Sequence, residues 1–303
     1  MIALKPITAK LDTFFKVASY PENFRVATTP PGYDALLARF ALPEFINISY
    51  NGLFLNNTPE IDRVYLVVFP NRDVIDQIIA REVERGAPGA LIFTHHAADY
   101  PESQYPSAVY ITEPQLEELR EHRIACYVCH APLDCNPELS TSGAIADALK
   151  LKVLGRFATY HGGQSGVYGK WGGSGFDELT KKLMETHDLP TLRYGNIRHN
   201  GQIVHKVAIV AGFGGTPEFI QEAAALGCDT FITGEWFPFG PGDWRAEYRE
   251  KMRALLPTIP LNLIATSHYA SEMIVLRDGM KAWFREHAPG VEIVLMTQKD
   301  PWR

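Results

Sequence analysis

Twice in this chain a short apolar run is followed by an amphipathic segment, a glycine and a second apolar run. The second run ends each time on a threonine followed by residues that bind metals or move protons. In the first copy Arg63 to Phe69 reads as a buried strand, by its length and β-branching. Asp73 to Glu84 reads as a helix with Val74, Ile75, Ile78 and Ile79 on one face, closed by Gly86, and Gly89 to Thr94 as the next strand. In the second copy Val207 to Val210 is the strand, Thr216 to Leu226 the helix, and Cys228 to Thr233 the closing strand. The copies end Thr94-His95-His96 and Thr233-Gly234-Glu235. Further elements repeat the alternation: a helix Gln115 to His122, a strand Ile124 to Val128, a short helix Ser142 to Leu151, a strand Leu261 to Ala265 and a helix Ser267 to His287. Strand and helix in turn predict α/β layers with parallel pairing. The expected fold class is α/β, as two related α/β lobes with mixed, largely parallel sheets. One lobe is assigned to residues 1–155 plus 268–303, the other to 156–267.

A length of 303 residues supports a substantial core, and 46% hydrophobic with 21% charged residues is ordinary globular composition. The net charge of −6, without a Lys/Arg cluster, argues against a nucleic-acid partner. No apolar run reaches the roughly 20 residues that a membrane span needs. Met1 to Phe15 lacks the apolar core of a signal peptide, so a cytoplasmic location is expected, with Cys126, Cys129, Cys135 and Cys228 as reduced thiols.

Four strand ends carry the chemistry. One offers His95 and His96, another His130 and Asp134, a third His268 and Glu272, and a fourth Glu235. Ligands of open α/β sheets collect at the carboxyl ends of strands. Adjacent side chains on an extended segment diverge, so His95 and His96 are each expected to serve a different metal ion rather than chelate one. Thr266 or Ser267 can cap the last helix, which stacks His268 and Glu272 on one helical face, four residues apart. Imidazoles with bridging carboxylates suit a pair of divalent metals, about 3.5–4 Å apart in hydrolytic sites. The donor set is compatible with Zn, Fe, Mn or Co.

Other motifs point to less. Cys126-Tyr127-Val128-Cys129-His130 spells a haem-attachment pattern, but strand alternation sends the two thiols to opposite faces. Gly212-Phe213-Gly214-Gly215 follows a strand and opens a helix, yet Pro217 stands where a dinucleotide turn needs its third glycine. It is read as a tight turn. Tyr160 to Gly175 holds seven glycines and is expected to form a loop or lid rather than a strand.

Thr94-His95-His96, His130-x-x-x-Asp134, Gly212-Phe213-Gly214-Gly215, Ile232-Thr233-Gly234-Glu235 and Ser267-His268-Tyr269-Ala270-Ser271-Glu272 together resemble the Nif-three-like dinuclear-metal family. Some of its members are labelled GTP cyclohydrolase I type 2. Tyr50-Asn51-Gly52-Leu53 is similar to that family's early Asn-x-Gly-Leu segment, and the resemblance runs from about Asn51 to the end. It implies a metal site between two lobes and a homo-oligomer, a hexameric ring. By position it makes His95, His96, Asp134, His268 and Glu272 ligands of two divalent ions, and His130 a ligand or close neighbour. The chain departs from the family where Ala97, Ala98 and Asp99 follow the histidine pair, and where Trp236 and Phe237 follow Glu235. The expectation is a metal-dependent hydrolase acting on a small polar substrate, a nucleotide-like molecule being one candidate, with Glu235 or His130 moving protons. A metal-binding regulator or interaction protein assembled as a ring is the alternative.

Overall fold

The structure, a computed structural model, describes residues 1–20, 22, 32–47, 50–100, 108–197, 203–238, 243–299 and 301–302. The chain divides into two compact units, Met1–Leu133 with Leu276–Lys299, and Asp134–Val275 with Asp300–Arg303. The crossing points thus fall at 133/134, 275/276 and 299/300, whereas the sequence reading placed them at 155/156 and 267/268. Among the described residues no helix is long and apolar enough to cross a membrane.

The first unit holds a five-stranded sheet, in the order Glu292–Leu295, Arg63–Val67, Ala90–Thr94, Ile124–Val128 and Gly52–Leu55. All pairs are parallel except the last, where Gly52–Leu55 runs antiparallel to Ile124–Val128. The three central strands end flush, because Thr94 pairs with both Val67 and Val128. Their runs are apolar without alternation because helices cover both faces. On one face Ile75, Ile78 and Leu116 pack with Tyr65, Val67 and Ile92. On the other, Phe93 meets Phe15, Tyr127 and Phe284. The helix Arg72–Arg85 starts where the Asn71 side chain accepts from the Val74 N–H at 2.8 Å, and stops at Gly86 with φ of 78°. It buries the four predicted apolar residues and also Glu82, whose carboxylate accepts from Arg63, Arg85 and the Tyr65 hydroxyl. Those partners offset the cost of desolvating the carboxylate.

The second unit holds six strands, in the order Lys152–Tyr160, Gly163–Lys170, Lys206–Val210, Thr230–Thr233, Asn262–Ala265 and Arg193–Asn196. Its three central strands are parallel to one another and the flanking strands antiparallel. The expectation of a glycine-rich loop from Tyr160 to Gly175 is met only over residues 171–175 and is overturned before them. Gly163–Lys170 is a strand, joined to Lys152–Tyr160 through His161 and Gly162 at positive φ, 43° and 86°. Positive φ at both central residues is what a two-residue hairpin turn of the favoured twist requires. The strand glycines are needed for space. A Cβ on Gly166 would lie 2.6 Å from the Phe157 ring, and one on Gly169 would lie 2.6 Å from the Lys152 carbonyl oxygen.

The final helix is also not the single run predicted. It divides into His268–Ile274, a wider π-type segment Val275–Met280, and Lys281–His287. The division between the two compact units falls at the start of that wider segment.

The relatedness of the halves extends to individual hydrogen bonds. In the first unit the Thr94 hydroxyl donates to the Val68 and His96 carbonyls, and the His96 N–H returns to the Val68 carbonyl at 3.0 Å. In the second, the Thr233 hydroxyl donates to the Gly212 and Glu235 carbonyls, and the Glu235 N–H returns to the Gly212 carbonyl at 2.8 Å. Cys129 N–H to Thr94 and Thr266 N–H to Thr233 complete the match, at 3.0 and 2.8 Å. His96 and Glu235 therefore occupy equivalent places at equivalent strand tips.

Candidate metal centre

In the first unit the strand Ala90–Thr94 ends in a bend at His95. The backbone stays tied to its neighbour through His95 and His96 N–H bonds to the Val67 and Val68 carbonyls, each 3.0 Å. Because the backbone bends, the two side chains do not diverge as an extended segment would make them. Their rings lie 4.5 Å apart, and His130 joins them at 4.9 Å from His95 and 4.7 Å from His96. One ligand nitrogen from each of His95, His96 and His130 falls within 4.8 Å of the others, all three residues buried. The planes of the two adjacent rings stand 69° apart.

Two of the rings are oriented by their inner nitrogens. His95 Nδ1 lies 2.8 Å from the Cys129 carbonyl oxygen, which only accepts, so Nδ1 carries the proton and Nε2 carries the lone pair. His130 Nδ1 lies 2.5 Å from Glu22 Oε1, and the His130 N–H donates to Asn51 Oδ1 at 2.7 Å. His96 is held differently, stacked on Phe69 at 4.3 Å with ring planes 11° apart. Carbonyl and carboxylate partners on the far nitrogen are how proteins set ligand histidines.

In the second unit the helix that begins at His268 is capped by Ser267, whose hydroxyl accepts from the Ala270 N–H at 3.2 Å. The four-residue spacing places His268 Nε2 3.1 Å from Glu272 Oε1, and His268 Nδ1 is 3.6 Å from Glu235 Oε2. Burial opposes a charged imidazole there, but the carboxylates of Glu272 and Glu235 outweigh it and hold His268 well above the usual histidine range. A metal ion needs that imidazole neutral, so it would take the place of the proton. The glycine turns make room for this group. A Cβ on Gly212, at φ of 64°, would stand 2.4 Å from Glu272 Oε1, and one on Gly234 would stand 2.6 Å from Ser271 Oγ. Ser271 joins the turn to the helix, accepting from the Gly212 N–H at 3.0 Å and donating to the His268 carbonyl at 2.8 Å.

Asp134 opens the second unit and is buried, with Oδ1 accepting from the Thr141 hydroxyl at 2.6 Å. Asp99 is buried too, its backbone paired antiparallel with Val109. The structure thus gathers His95, His96 and His130 in one unit, and His268, Glu272 and Glu235 in the other. The donor types fit divalent metals of the imidazole and carboxylate class. Glu22 was missed by sequence reading: a lone glutamate far from any strand end gives no periodic signal. Asn51 was noticed only through the family resemblance, and its contact with His130 spans 79 residues of chain.

Comparisons with known proteins agree with this picture. The family described as Duf34/NIF3 (NGG1p interacting factor 3) matches residues 34–301. A GTP cyclohydrolase 1 type 2 homolog of Pyrococcus abyssi is 25% identical over 91% of this chain and 90% of its own length. One from Deinococcus radiodurans is 31% identical over 62% of this chain and 66% of its own length. Among solved structures, the protein ybgI, described as of unknown function, superposes with a TM-score of 0.66 at 18% identity, covering 99% of this chain and 100% of that one. Reduced HcgD from Methanocaldococcus jannaschii gives 0.62 at 18% identity, with 98% of each chain covered. At such identities the superpositions show a shared fold, and the sequence match over most of the chain shows descent: the chain belongs to the Duf34/NIF3 family.

Proposed function

We propose that this protein is a metal-dependent hydrolase whose two divalent ions are held by His95, His96, Asp134, His268 and Glu272, with His130 beside or among them. The observation that carries the reading is the convergence of three buried histidine nitrogens within 4.8 Å, two of the rings oriented through their other nitrogen. Such ions would lower the pKa of water and polarise the bond attacked. The residues of the chain divide the remaining work. His95 and His130 offer Nε2, since Nδ1 of each is engaged. Glu235 is the more exposed of the two carboxylates on His268, at 19% against 4% for Glu272. It is assigned to take a proton from water and return it to the leaving group. The substrate in this reading is a small polar molecule, with a nucleotide-like ring as one candidate. GTP ring opening is the form of this reading that the names of its relatives suggest. A ring-shaped homo-oligomer in the cytoplasm belongs to the same proposal.

The family's description as an interacting factor supports a second reading, a metal-binding regulator without turnover. Metal content decides whether either can stand. Protein purified without added metal or a histidine tag is expected to hold about two ions per chain, as a paired-metal site requires. The His95→Ala/His268→Ala double variant is expected to hold far less. Little metal in either protein, even after incubation with zinc or manganese, would sink both readings. Glu235→Ala that keeps its metal but loses turnover favours the hydrolase. Unchanged turnover removes Glu235 from the chemistry.

A further inference from the structure

Glu22 has no role in the ligand set above, yet it is one of the most thoroughly engaged carboxylates in the first unit. It is 1% exposed. Its Oε1 accepts from His130 Nδ1 at 2.5 Å and from the Ala131 N–H at 3.1 Å, while Oε2 accepts from Asn51 Nδ2 at 2.5 Å. Asn51 closes the circuit, because its Oδ1 accepts the His130 N–H at 2.7 Å. A buried carboxylate is costly unless hydrogen bonds satisfy it, and here each of its oxygens has a named donor. Two of the donors belong to His130 and the residue after it, and a third comes from a residue that grips the His130 backbone. The arrangement therefore restrains His130 at both its backbone and its ring.

We infer that Glu22 is the positioning residue of the metal centre: it anchors His130 through Nδ1, so that Nε2 is the nitrogen presented beside His95 and His96. A ring held only by packing can flip or exchange its proton between nitrogens. A carboxylate on Nδ1 removes that freedom and makes Nε2 a stronger donor. Asn51 then has a double function, orienting the carboxylate through its amide and the strand tip through its carbonyl. Loss of an outer partner of this kind costs about 10–100-fold in metal affinity. The inference rests on the metal-centre reading for its consequence, but the anchoring itself can be measured without metal.

The test uses the full chain, stripped of metal, as wild type, Glu22→Ala, Glu22→Gln, His130→Ala and the Glu22→Ala/His130→Ala double variant. Zinc is titrated against a chromophoric chelator, and the histidine rings are followed by long-range nitrogen–proton NMR. In wild type the His130 ring is expected to show a hydrogen-bonded Nδ1–H, lost in Glu22→Ala. Zinc should bind Glu22→Ala about 10–100-fold more weakly. Glu22→Gln should fall between, because its amide keeps an acceptor for Nδ1 but sets a donor against Asn51 Nδ2. The double variant should bind no worse than His130→Ala, since Glu22 acts through that ring. An unchanged Nδ1–H signal in Glu22→Ala, zinc affinity within twofold of wild type, or a Glu22 effect that adds in full to that of His130→Ala would each overturn the assignment. Wild type that binds no zinc would defeat the metal-centre reading, and the ring spectrum would still decide the anchoring.

Discussion

At the scale of single residues, the site is made as much by absent side chains as by present ones. Gly212 combines a φ of 64° with a built Cβ that would stand 2.4 Å from Glu272 Oε1 and 3.2 Å from His268 Nε2. The atom met is the far end of the flexible Glu272 side chain, so an added methyl would displace that carboxylate rather than break the fold. Gly212→Ala is accordingly expected to cost about 1–2 kcal/mol of backbone strain and, in addition, to weaken metal binding. Gly227 separates the two effects. It has a similar φ of 73°, with nothing within 4 Å of a built Cβ. Gly227→Ala should show the strain in a urea titration and leave zinc uptake unchanged. Equal zinc affinity in Gly212→Ala and Gly227→Ala would show that the Gly212 cradle has no bearing on the ligands.

At the scale of elements, the glycine-rich segment shows where composition misleads. Seven glycines in sixteen residues look like a loop because glycine contributes no side chain to pack and loses the most freedom on ordering. That argument fails when the partner strand supplies the packing, as Phe157 does over Gly166 and the Lys152 backbone does against Gly169. The information lay in the neighbour, not in the segment. Gly169→Ala is expected to destabilise by about 1–3 kcal/mol, because its Cβ would press on a backbone carbonyl that cannot swing away. Gly172→Ala, outside the strand and with nothing within 4 Å, is expected to stay within about 0.5 kcal/mol of wild type. Thermal unfolding of the two variants distinguishes a strand from a loop directly: similar melting temperatures would contradict the hairpin.

For the whole molecule, metal and stability are linked. An ion that binds only the folded chain stabilises it by about 2.7 kcal/mol at a concentration one hundred times its dissociation constant. Chelator is therefore expected to lower the melting temperature and zinc to restore it, while His95→Ala/His268→Ala responds to neither. A melting temperature indifferent to both reagents in wild type would mean that no ion is held by the native fold. The two related halves were legible in the sequence through repetition. Thr94 and Thr233 stand at matching strand tips, and apolar runs of matching order lead to each. The domain boundaries were not legible, because the chain crosses between units at a short helix, Ala131–Cys135, and at the π-type segment after Ile274, neither of which carries a composition change.

What the sequence determined by itself was local and periodic. Apolar runs of strand length, helical faces of period near 3.6, and capping residues such as Asn71 and Ser267 depend on neighbours a few positions away, so they can be read in order. It also placed His95, His96, His130 and Glu235 just beyond strand ends, and His268 and Glu272 one turn apart on the helix after the last strand, which is where the structure has them. What only the tertiary structure decided was convergence. The bend after Thr94 turns two adjacent histidines toward a third that is 34 residues further along. Glu22 reaches His130 across 108 residues. Hydrogen bonds between groups so distant in sequence follow from how strands are paired and ends are brought together, and no local pattern of residues encodes them.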